Sequence, residues 1–110
     1  MNDQHIAVVL PYEPRRDDLL PDPEALRELA LAENELVGIL GASAEFVAAV
    51  TAEGRRTLHF YADSENPHPA AVIRQWVHDN PEARWTIAVD PGWSAVAALA
   101  RAPLQPQGGE

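Results

Sequence analysis

A chain of 110 residues, 46% of them hydrophobic and three of them tryptophan, is long enough for one folded domain and too apolar for a disordered one. The formal charge of −9, set against eight arginines and no lysine, argues against nucleic-acid binding, which needs clustered cations for phosphate. Nothing approaches the ~20 apolar residues of a membrane span, and the absence of cysteine removes disulfides, thiolate nucleophiles and thiolate metal ligands together.

The N-terminus carries Asp3 and no Lys or Arg ahead of its apolar run, so it does not read as a secretory signal, and a cytoplasmic address is expected. Residues 5 to 12, HIAVVLPY, form an apolar, β-branched run closed by prolines, which predicts a central strand. The charged, proline-broken stretch that follows is a loop holding Arg15 and Arg16. Asp22 then reads as an N-cap, with Pro23 at the first helical position and Glu24 in the first turn. Leu26, Leu29, Ala30, Leu36, Val37 and Leu40 fall on one side of the helix that follows, and Gly41 stops it. Glu33 projects into that apolar stripe, where a carboxylate must find a partner.

Residues 45 to 52 and 55 to 62 are strand-like runs joined through Glu53-Gly54, a hairpin signal. In the second run Arg56, Leu58, Phe60 and Ala62 share one face, and Arg55, Thr57, His59 and Tyr61 the other. A second helix opens at His68-Pro69, with His68 as the N-cap position, and buries Val72, Ile73, Trp76 and Val77. Residues 84 to 90 make a fourth strand, and after the turn DPG the segment WSAVAALA is a short terminal helix. The order predicts an α+β fold, a ferredoxin-like βαββαβ two-layer sandwich with a four-stranded antiparallel sheet, spatial order 4-1-3-2, and a short C-terminal helix. Residues 1–102 form a single domain, and 103–110 a flexible Pro/Gly/Gln-rich tail.

Leu20-Pro21, Glu33, Gly54-Arg55-Arg56, Phe60-Tyr61 and Asp90-Pro91-Gly92-Trp93 together resemble the bacterial family called domain of unknown function 695, over roughly residues 6 to 96. That family carries no established activity. Its layout is similar to that of a small regulator that inhibits a ribonuclease, and the two kinds of domain can be joined in one chain. The alanine-rich strand and His59 depart from the usual pattern.

No phosphate-binding glycine loop, HExxH helix or GxSxG elbow is present. The histidines at 5, 59, 68 and 78 lie on different predicted elements without ligand spacing, so no metal site and no cofactor are expected. His59, Tyr61 and Thr57 make a polar row that could do acid–base work in a hydrolase-like enzyme, yet no orienting carboxylate is evident beside them. We expect no catalytic residues. The helices should cover one sheet face and leave Val9, Val47, Ala49, Thr57, His59, Tyr61, Thr86 and Ala88 on the other. That face is too apolar for solvated surface, which predicts a protein partner of unknown identity or a homodimer seated on it. On this reading Tyr61→Glu abolishes association without altering the circular dichroism spectrum. An immunity-type protein neutralising a basic toxin is the alternative that uses the acidity. Glu33 and Arg56 are expected to form a structural ion pair, and the one-sided change Glu33→Ala to cost ~3 kcal/mol or more if burial is deep.

Overall fold

A computed structural model describes residues 2–13, 21–52, 54–95 and 97. Its elements in chain order are strand β1 (Gln4–Pro11), helix α1 (Pro23–Leu40), a single 3₁₀ turn (Gly41–Ser43), strands β2 (Ala44–Ala52) and β3 (Arg55–Ala62), helix α2 (His68–Asp79) and strand β4 (Arg84–Val89). The four strands form one sheet in the order β2-β3-β1-β4, every neighbouring pair antiparallel. Read from the β4 edge, this order is 4-1-3-2.

The helix ends follow from local chemistry. Asp22 Oδ1 accepts the Ala25 backbone N–H at 2.8 Å, which satisfies one of the donors that a helix start leaves free. Gly41 ends α1 with φ of 54°, a conformation that costs a glycine little. Gly54, at φ 82°, serves the hairpin, across which Ala52 pairs with Arg55. The start of α2 differs from expectation by one residue. Pro67 holds the cap position and His68 is already helical, its N–H accepted by Asn66 Oδ1. The Asn66 side chain satisfies the free amide one step earlier than the sequence suggests.

Both helices pack on the same sheet face. Ile6, Val8, Leu58 and Phe60 rise from the sheet to meet Leu29, Leu36 and Leu40 of α1 and Ile73 and Trp76 of α2. The buried stripe of α1 is narrower than predicted: Ala32 and Val37 flank it, Ala30 is exposed, and Leu26 is 52% exposed. Leu29, Leu36 and Leu40 recur at helical spacing, whereas the first turn stands over a groove that Ala25 faces instead of Leu26. Among the described residues, no helix is long and apolar enough to cross a membrane. The predicted terminal helix is described only at its first turn, where the Ala97 N–H bonds Trp93 O at 3.0 Å. The rest of that helix, the tail 103–110 and Arg15-Arg16 lie outside the described residues.

Candidate functional site

The face away from the helices can be read row by row from the strand registers. Val50, Thr57, Val9 and Arg84 form one row across the four strands; Ala48, His59, Ala7 and Thr86 form the next; Glu45, Tyr61, His5 and Ala88 form the third. Within these three rows charge is confined to Glu45 and Arg84, at opposite corners, and the row beyond Thr57 adds exposed Arg55, level with Ala52 and Pro11. Thr57 and His59 are half-buried, and Thr86 and Ala88 are exposed.

Two of the residues expected on this surface are displaced by one event. The β2–β3 register slips between Phe46 and Ala48, so Val47 is the extra residue of a bulge. Beyond it the side-chain alternation is inverted. Ala49, expected on the open face, stands opposite Leu58 and packs against the core, while Ala48 and Val50 take the open side.

Tyr61 is displaced from the expected role in another way. It points to the open side yet is 0% exposed within the single chain. Trp93 stacks on its ring, centroids 4.3 Å apart and planes 12° from parallel, and the His5 ring lies 5.2 Å away. Tyr61 Oη donates to Asp90 Oδ2 at 2.6 Å. A side chain closed in by its own chain is not the exposed contact residue that the sequence suggests.

The clamp that does this is built after β4. Asp90 accepts the Ser94 N–H and hydroxyl on Oδ1 and the Ala95 N–H on Oδ2, so it caps the turn that carries Trp93. These bonds, from Ser94 first and then Tyr61, hold the Asp90 carboxyl well below the usual carboxylate range. Trp93 itself is left-handed, with φ of 55°, a conformation that disfavours a side chain. Its stack on Tyr61 and its indole N–H to Asn2 O at 2.6 Å hold it there.

His59 meets His5. Nε2 of His5 and Nδ1 of His59 are 2.9 Å apart, with the rings 16° from parallel, so one ring's N–H donates to the bare nitrogen of the other. Desolvation lowers the affinity of both rings for a proton. It is opposed at His5 by the Asp90 carboxylate and reinforced at His59 by the charge of His5. A histidine held neutral in the fold binds fewer protons than its unfolded counterpart, so its stabilisation is complete above the ordinary pKa of 6.5 and is lost as pH falls below it. The urea midpoint should therefore drop between pH 7.5 and 5.5, and His59→Gln should flatten that drop. Asp3 and Asp90, whose pKa values are also lowered, lose their contributions only below the ordinary carboxylate value of 3.8, outside this window.

Glu33 and Arg56 meet on the helix side, where Arg56 Nε donates to Glu33 Oε1 at 2.9 Å and another guanidinium nitrogen reaches Thr51 Oγ1. Their side chains remain 19% and 24% exposed, so the expected magnitude comes down. Glu33→Ala should cost about 1–2 kcal/mol in chemical denaturation, and Glu33→Ala with Arg56→Met should recover part of it.

His5, Asp90 and Trp93 complete the open-face cluster without having been assigned to it. His5 was legible: it alternates with Ala7 and Val9, and pairing β1 with β3 sets it against Tyr61. Asp90 read only as the start of a turn. Among the described residues, no three His, Asp or Glu side chains converge on a point where a metal ion could sit.

The chain matches, over residues 1–96, the family described as "Family of unknown function (DUF695)". It belongs to that family. No curated protein and no solved structure matches it.

Proposed function

We propose that this is a small protein-binding domain of ferredoxin-like βαββαβ architecture, and that it pairs with a second copy of itself through the open face of its sheet. The observation that carries this reading is the run of uncharged side chains across the middle of all four strands, with Val50, Thr86 and Ala88 exposed within it and charge only at its margins. Glu45 and Arg84, both exposed, hold opposite signs at opposite corners. A two-fold axis along the other diagonal sets each against its counterpart in the second copy, which an isologous contact requires. The histidine pair supports binding over hydrolysis. The nitrogen of His59 that a carboxylate would orient is engaged by His5, and both oxygens of Asp90 are engaged by Tyr61, Ser94 and Ala95.

Sedimentation equilibrium tests this. Wild type should dimerise, Glu45→Arg and Arg84→Glu should each be monomeric alone, and an equimolar mixture of the two should form a heterodimer. A wild type that stays monomeric throughout a concentration series, or a mixture that does not associate, would overturn self-pairing.

A further inference from the structure

We propose that the groove between the end of β1, the first half of α1 and the end of α2 receives a basic segment of a partner protein, seating an apolar side chain flanked by arginine or lysine. This surface lies on the helix-covered side, so the inference goes beyond the sheet-face reading and stands independently of it. The groove measures about 310 Å³, room for one or two side chains. Leu10, Leu29, Ala32 and Trp76 contribute its apolar lining, and the indole of Trp76 is anchored by its N–H to Glu35 Oε1 at 2.8 Å. That bond uses the only donor of the ring, and with Trp76 5% exposed only a narrow apolar strip of the indole faces the groove, which suits contact with an aliphatic group.

Five carboxylates from three parts of the chain surround that lining: Glu13 after β1, Asp22, Glu24 and Glu28 at the start of α1, and Glu82 after α2. Among the described residues, no arginine lines the groove. The residues joining two of its lips, 14–21, contain two arginines and two aspartates and so add no net charge to offset the rim. The carboxylates encircle an apolar floor and do not converge, so the arrangement fits separate cationic side chains around an apolar anchor better than one metal ion. Arginine and lysine bring such charges on long apolar stems that can lie along the lining.

Fluorescence anisotropy with a labelled Arg-Arg-Leu-Leu-Arg-Arg peptide tests the proposal on the full chain. Binding is expected at about 0.15 M salt, and Glu24→Gln with Glu28→Gln, both on the exposed helix surface, should weaken it about tenfold. Hexa-arginine and Ser-Ser-Leu-Leu-Ser-Ser should each bind at least about tenfold more weakly, since each lacks half of what the groove offers. The Glu45→Arg variant, altered on the sheet face at the far β2 edge, should bind the peptide as wild type does, which separates the two surfaces. Equal affinity for hexa-arginine would reduce the effect to general attraction by an acidic protein and overturn the proposal. So would an affinity unmoved by the paired glutamine changes, or no binding at all.

Discussion

Tyr61→Glu is expected to prevent folding. Tyr61 has no exposed surface, its ring lies between His5 and Trp93, and its hydroxyl bonds the Asp90 carboxylate. Glutamate there would place a second negative charge against Asp90 inside a closed site. Burying an unpaired charge or an unsatisfied polar group belongs to the most destabilising class of substitution, about 4 kcal/mol or more, which takes up much of a small domain's stability. Loss of the near-ultraviolet circular dichroism bands and of cooperative urea unfolding would report it. Tyr61→Phe, which keeps the stack and drops only the hydroxyl, should remain folded with a smaller loss. A Tyr61→Glu protein with wild-type denaturation would mean that Tyr61 is a surface residue after all. The outcome bears on function, because a folded, non-associating Tyr61→Glu is what a contact residue at this position would produce.

Phe60→Ala should cost about 3–4 kcal/mol. Phe60 is 1% exposed on the helix side of β3, level with Ile6 of β1 and Phe46 of β2, and its ring lies 5.2 Å from that of Phe46. Removing it opens a cavity where the central strand meets the helices, and the strand on either side is tied into hydrogen-bonded ladders that resist collapse into the gap. A denaturant midpoint lowered with an unchanged slope would identify a packing loss in an intact fold. A change below about 1 kcal/mol would contradict the burial, since surface substitutions rarely exceed half that. The alternation of β3 thus places two severe substitutions side by side for opposite reasons: one leaves a void in the core, the other forces charge into a clamp on the far face.

What the sequence by itself determined is what short-range forces decide. The Asp22 cap needs only an amide three residues on, and Gly41 and Gly54 need only their own freedom at positive φ. The division of β3 into Leu58 and Phe60 against Thr57 and His59 needs only the pleat. The Glu33–Arg56 pair was legible for a related reason: a charge at helical spacing among leucines requires a partner, and Arg56 was the cation on the helix-facing side of β3. Tertiary structure decided the rest. The bulge at Val47 moves Ala49 from the open face into contact with the core, and no local signal marks it because alanine and valine fit either face. The meeting of His5 with His59 spans 54 positions, and that of Tyr61 with Asp90 spans 29, so both depend on strand registers set by the whole sheet. Trp93 covers Tyr61 only because the capped turn after β4 folds back over the sheet, and that return is secured by contacts with Asn2 and Tyr61, which only the assembled sheet brings within reach.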